Sequence, residues 1–98
     1  MSGAHRPCAD LDVRRRRLLF RSRHRGMREM DLILGSFVEA DVAGLDEAEI
    51  GALERLTEVP DGELLSWIIG SAGPPQEHDT PLFGKLRAFH LRGKARGF

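Results

Sequence analysis

Few residues in this 98-residue chain have side chains suited to catalysis or metal binding. The candidates are one cysteine and four scattered histidines, namely Cys8, His5, His24, His78 and His90. No cysteine and histidine pair has zinc-site spacing, and neither a G-x-x-x-x-G-K-[ST] nor a G-x-G-x-x-G phosphate loop occurs. We therefore expect no catalytic residue, no metal ligand and no stably held cofactor, and we interpret the histidines as solvated or capping residues.

The densest group of interacting side chains is the run Arg25, Gly26, Met27, Arg28 and Glu29. It brings two guanidinium groups and a carboxylate to an expected helix end, at a corner that should be exposed. Gly26 suits a helix C′ position because glycine accepts a positive φ. Alternatively, Gly26 lets a partner's backbone approach without a Cβ in the way, while Arg25 offers a forked donor and Glu29 an acceptor. The two explanations are compatible.

The elements that must position this run are predicted to be helices. Apolar residues recur at intervals of three and four, and β-branched residues form no alternating run of strand length. The chain is therefore expected to be all-α, a small five-helix bundle in a single domain. The expected helices begin near Leu11, Glu29, Asp46, Asp61 and Thr80, and the last three of these residues are expected N-caps. Within that domain organisation, residues 1–13 form a disordered N-terminal segment, residues 14–91 the bundle, and residues 92–98 a frayed basic tail.

Local signals support individual helices. Asp46 and Glu49 have the spacing of a capping box for the third helix. The second helix has the clearest core stripe, and Gly70 is expected to end the fourth. Trp67 could stack a flavin or a base, but an aromatic inside an apolar helix of a small bundle favours a core position. The members of the stripe are Met30, Ile33, Leu34 and Phe37.

The formal net charge of zero conceals three blocks: +6 over residues 1–30, −11 over residues 31–79 and +5 over residues 80–98. Four consecutive arginines, residues 14–17, could follow a phosphate backbone. This supports an alternative function, a nucleic-acid-binding or antitoxin-like regulator. The acidic block must lie close by in so small a domain and would repel phosphates, so pairing of the basic ends with the acidic middle is favoured.

The run from Arg25 to Glu29, followed by Met30 and Asp31, resembles the RGxxE motif of a family of small FAD assembly factors. The family is called SdhE in bacteria and succinate dehydrogenase assembly factor in mitochondria. The similarity continues through the acidic start of the third helix to residues 61–67, and it covers about residues 14–89. Gly62 stands where many relatives are expected to have proline.

The resemblance implies a chaperone and not an enzyme. Such a chaperone binds the flavoprotein subunit of succinate dehydrogenase, or of fumarate reductase, and promotes covalent attachment of FAD to a histidine of that subunit. FAD would belong to the partner, and the partner-binding residues would be Arg25, Gly26, Met27, Arg28 and Glu29. Neither nucleic acid nor membrane insertion is expected, and the free protein should be a monomer.

Two expectations complete the sequence-based picture. The resemblance implies a place in the bacterial cytoplasm, or in the mitochondrial matrix if the chain is eukaryotic. A small flavin transferase is a competing hypothesis, with Glu29 or His24 as its acid or base. Such an enzyme would lose activity when Glu29 is neutralised even though binding is intact.

Overall fold

The computed structural model describes residues 11–70 and 72–95, which form five α-helices and no strand. The all-α five-helix prediction is confirmed. The described residues have a radius of gyration of 12.9 Å, close to the roughly 13 Å of a compact 100-residue domain. The α-helices are α1 Val13–Arg23, α2 Arg28–Asp41, α3 Glu47–Leu56, α4 Asp61–Ile69 and α5 Pro81–Ala95. Short 3-10 turns occupy Val42–Gly44 and Gln76–His78.

The helix limits differ from the expected segment boundaries at both ends. Leu11 is buried in the core, and Asp12 caps α1 by accepting a hydrogen bond from the Arg15 backbone N–H at 2.8 Å. α5 continues through Ala95, beyond the expected start of the tail. The remainder of the expected N-terminal segment and the last three residues lie outside the described residues.

One hydrophobic cluster draws side chains from all five helices. The stripe expected on α2 is confirmed, because each of its four members is buried. Trp67 is only 9% exposed and belongs to the same cluster, which confirms its core position. Full burial of a large apolar side chain contributes about 1.5–3 kcal/mol, so this cluster is the main source of stability.

α1 and α2 approach each other through small residues. Ser22 is fully buried and donates its hydroxyl hydrogen bond to the Leu19 carbonyl at 3.0 Å. Opposite it, a Cβ added to Gly35 would lie 3.2 Å from Arg23 Cγ and 3.7 Å from the Ser22 carbonyl oxygen. The absence of a side chain at Gly35 therefore lets the two helices pack closely, and this packing sets the positions of the helix ends that flank the α1–α2 bend.

Most of the expected helix caps are present. Asp46 and Glu49 form the predicted capping box at α3, and the Thr80 hydroxyl accepts a hydrogen bond from the Phe83 backbone N–H at 3.2 Å. Gly70 ends α4 in the left-handed conformation, with φ of 88°. The expected cap at Asp61 was wrong, because Pro60 occupies the N-cap position and Asp61 is the first residue of α4.

Ion pairs between the helices depress the pKa of two α3 carboxyl groups. The Arg14 guanidinium donates two hydrogen bonds to Glu54, at 2.8 and 2.7 Å, and holds the pKa of Glu54 below its ordinary value of 4.5. The Lys85 ammonium group hydrogen-bonds to Glu49 and likewise lowers the pKa of that carboxyl group. α3 is thereby tied to α1 on one side and to α5 on the other.

These depressed pKa values predict acid destabilisation. Their contribution to the free energy of unfolding is complete above the unfolded-state pKa of 4.5 and is lost as the pH falls through the lower native values. Urea unfolding at about pH 6 and about pH 3.5 should show this loss, and the double variant Glu49→Gln/Glu54→Gln should show a smaller one. An equal acid loss in the double variant would contradict this origin.

Candidate functional site

The bend between α1 and α2 carries the RGxxE-like run. α1 ends at the C-cap His24, so Gly26 lies two residues beyond the cap and not at the expected C′ position next to it. Gly26 has a φ of 100°, in the region that favours glycine, and it is exposed. A Cβ built on Gly26 would meet nothing within 4 Å. The backbone conformation therefore requires glycine here, and the space in front of the bend is open.

Arg25 points into the protein. Its side chain is only 8% exposed, and its Nε donates a hydrogen bond to Asp61 Oδ1, which belongs to an 18%-exposed carboxylate. Its Nη1 donates to the Thr57 carbonyl at 3.0 Å and its Nη2 to the Val59 carbonyl. The guanidinium is thus held by the junction of α3 and α4, and it anchors the bend to that junction.

The backbone of Arg25 is held as well. Its N–H donates a hydrogen bond to Asp31 Oδ1 at 2.8 Å, from the first turn of α2. The bend is therefore fastened on two sides, by Asp31 on the following helix and by the α3–α4 junction below it. Asp31 was noticed in the sequence only as part of the resemblance, and its bond to the bend could not be read from the pattern.

The other members of the run face different surroundings. Met27 is the N-cap residue of α2 and packs partly buried against the core. Arg28 and Glu29 are exposed in the first turn of α2, and neither side chain forms a hydrogen bond or ion pair with another described residue. The structure therefore presents Gly26, Arg28 and Glu29 together on one exposed corner, with Arg25 supporting them from beneath.

A hollow of about 380 Å³ lies beside the bend, between the end of α1 and the start of α4. One wall is an exposed stack of Phe20 on His24, with ring centroids 4.0 Å apart, and Pro60 lies across from it. His24 Nδ1 is 2.7 Å from the Phe20 carbonyl oxygen, in agreement with the predicted capping role. Sequence reasoning missed Phe20, although an aromatic residue just after the buried Leu18 and Leu19 is a detectable signal.

Acidic residues neutralise most of the basic first helix, as the charge blocks predicted. Three of its arginines pair with carboxylates of α2, of α3 or of the α3–α4 connection, and Arg15 pairs with Asp12, its own helix cap. Arg16 donates to the Leu11 carbonyl at 2.9 Å. The pairs with α2, α3 and the α3–α4 connection are Arg14–Glu47, Arg14–Glu54, Arg21–Glu58 and Arg23–Glu39. Few of these guanidinium groups are left to contact a phosphate backbone.

Two histidines differ from the expected solvated or capping roles. His78 packs against Trp67, with ring centroids 5.5 Å apart, because the 3-10 turn folds the loop back onto α4. His90 lies inside α5 and is partly buried, because that helix runs past its expected end. No group of three or more potential metal ligands occurs among the described residues.

The buried position of the Arg25–Asp61 pair predicts a large stability effect. Arg25→Met removes the charge that compensates Asp61 and leaves two carbonyl groups without their donor. Breaking such a pair costs about 3 kcal/mol or more, so thermal unfolding should show Tm lowered by roughly 10 °C or more.

Arg23→Met is a matched control for this prediction. The Arg23–Glu39 pair has side chains 44% and 50% exposed, so its loss should cost at most about 1 kcal/mol. Equal falls in Tm for the two variants would contradict the supporting role of Arg25.

Comparison with known proteins relates this geometry to a family. A family model described as flavinator of succinate dehydrogenase matches residues 16–90, which include the bend. Within the described residues, no helix has the length and apolar character needed to cross a membrane. No solved structure matches the chain significantly.

Two curated relatives share most of the chain. The FAD assembly factor SdhE of Acetobacter pasteurianus is 40% identical over 77 residues, which cover 79% of this chain and 71% of the relative. The mitochondrial succinate dehydrogenase assembly factor 2 of Dictyostelium discoideum is 32% identical over 90 residues, which cover 92% of this chain and 63% of the relative. The chain belongs to the family of flavinators of succinate dehydrogenase.

Proposed function

We propose that this protein is an FAD assembly factor that binds the flavoprotein subunit of succinate dehydrogenase and promotes covalent attachment of FAD to it. The proposal extends to the flavoprotein subunit of fumarate reductase as an alternative client. Family membership and the names of the relatives support the proposal. The observation that carries it is the open bend at Gly26, with Arg28 and Glu29 exposed beside it and their side chains without a hydrogen-bond or ion-pair partner among the described residues.

The proposed action needs no catalytic group on this chain. The new bond forms on the partner, between FAD and a histidine of the flavoprotein subunit. Holding two reacting groups in a productive arrangement supplies a rate gain without a nucleophile or base from the helper. A rigid corner suits this task, and the bend is rigid because Asp31 and Asp61 both hold Arg25.

The residues of the run have separate roles in this proposal. Gly26 allows a partner's backbone to approach closely, while Arg28 offers a forked donor and Glu29 an acceptor at the same corner. Met27 packs partly buried against the core at the start of α2, and its remaining apolar surface is available to the partner. Arg25 acts as a positioning residue, because its donors are already used inside the protein.

The paired state of the first helix favours a protein partner over nucleic acid. A nucleic-acid surface needs several guanidinium or ammonium groups free to neutralise phosphates. Here the α1 arginines from Arg14 to Arg16 and those at positions 21 and 23 are bound to carboxylates or carbonyls. Releasing them would cost the contacts that hold α1 to α2 and α3.

Gly26→Arg tests the site directly. We expect the variant to lose copurification with the flavoprotein subunit from native extract, because a long side chain would fill the space in front of the bend. Covalent flavin on the captured subunit is read by in-gel fluorescence. The positive φ of Gly26 should cost the variant about 1–3 kcal/mol of stability, but the circular dichroism spectrum should remain helical, since a Cβ at Gly26 meets no neighbour.

Gly44→Arg is the control for the added side chain, because Gly44 is also exposed and a Cβ there also meets nothing within 4 Å, although its φ is not positive. This control should capture the flavoprotein as the wild type does. Equal capture by Gly26→Arg would contradict the proposed site. A melted spectrum for Gly26→Arg alone would indicate that the glycine serves only the fold of the bend.

Glu29→Gln separates an assembly factor from a flavin transferase. For an assembly factor we expect affinity for the flavoprotein and the rate of flavin attachment to fall together, because the lost charge weakens binding. A saturating concentration of the variant should then restore the rate in a purified system. Binding at wild-type affinity with flavin attachment abolished would instead indicate that Glu29 takes part in the reaction.

A further inference from the structure

A second hollow shares Glu29 with the proposed site. It lies between the first two turns of α2 and the distal half of α5, has a volume of about 210 Å³, and is lined by Glu29, Leu32, Ile33 and His90. Leu32, one of the lining residues, is 56% exposed. We propose that this hollow is a socket for one apolar side chain of the flavoprotein subunit, an inference that rests on the function proposed above.

The position of Leu32 on α2 connects the socket with the bend. Residues three and four apart lie next to each other on one helix face. Leu32 is three residues after Glu29 and four after Arg28, so the three side chains form one strip that begins at the bend. The buried stripe of α2 does not need Leu32, because Ile33 and Leu34 already face the core.

The size of the hollow indicates what it accepts. Sites for small molecules usually measure about 300–1,000 Å³, and the socket is smaller, at about 210 Å³. Its inner surface includes Leu32 and Ile33, which supply aliphatic carbon and no charge. A single apolar side chain fits these properties better than a nucleotide or another large polar ligand.

The surroundings of the socket match a protein interface. Binding energy in such interfaces concentrates in apolar pockets that are rimmed by polar groups which exclude water. Here Glu29 and His90 lie at the hollow, and Arg28 stands one helical turn before Leu32. Because Glu29 belongs both to this rim and to the corner at Gly26, a partner that covers the corner also covers the socket.

Leu32→Ala tests the socket, with Ile69→Ala as its matched control. Ile69 is also 56% exposed, at the end of α4, so both truncations should leave Tm nearly unchanged. The dissociation constant for the purified flavoprotein subunit should rise about tenfold or more for Leu32→Ala, as for a hot-spot residue. It should not change for Ile69→Ala.

The outcomes separate this inference from the proposed function. A specific loss of affinity for Leu32→Ala, with Ile69→Ala at the wild-type value, supports the socket. Wild-type affinity for Leu32→Ala, when Gly26→Arg abolishes binding, overturns the socket and leaves the proposed function standing. If the wild-type protein itself does not bind the flavoprotein subunit, the proposed function fails and the socket fails with it.

Discussion

The buried guanidinium of Arg25 is the interaction on which the exposed corner depends. A charge so far removed from water is tolerable only when its donors are satisfied, and here a carboxylate and two backbone carbonyls satisfy them. Those acceptors come from the junction of α3 and α4, whereas Arg25 comes from the bend between α1 and α2. One side chain therefore joins the two connections of the bundle and holds Gly26 in its left-handed conformation.

Pairing of opposite charges also connects the other helices of the bundle. Basic residues of α1 and α5 are matched with carboxylates of α2 and α3, so the basic and acidic blocks of the chain become contacts between helices. The close approach of α1 and α2 at Ser22 and Gly35 brings those partners within reach. Arg28 and Glu29 are two of several exposed charged groups without a described partner, and their place beside the open bend at Gly26 makes this corner the best candidate for a binding surface.

The fold was largely predictable because its signals are local. Apolar spacing and the capping pair at Asp46 and Glu49 depend on residues within a turn or two of each other, and the structure reproduces them. The run at the bend could also be located, but the direction of Arg25 could not. Its partner Asp61 is 36 residues away in sequence, and the local pattern indicated only a helix cap there. His78 was misjudged for the same reason, since its contact with Trp67 depends on how the loop folds back.

The acceptors of Arg25 also bear on how this protein can vary during evolution. Two of the three are main-chain oxygens, of Thr57 and Val59, and a substitution at either position leaves that oxygen in place. Only Asp61 contributes an acceptor that a point mutation can remove. The side chains of Thr57 and Val59 are therefore constrained by their burial and not by the anchor, and selection on the anchor should concentrate on Arg25 and Asp61.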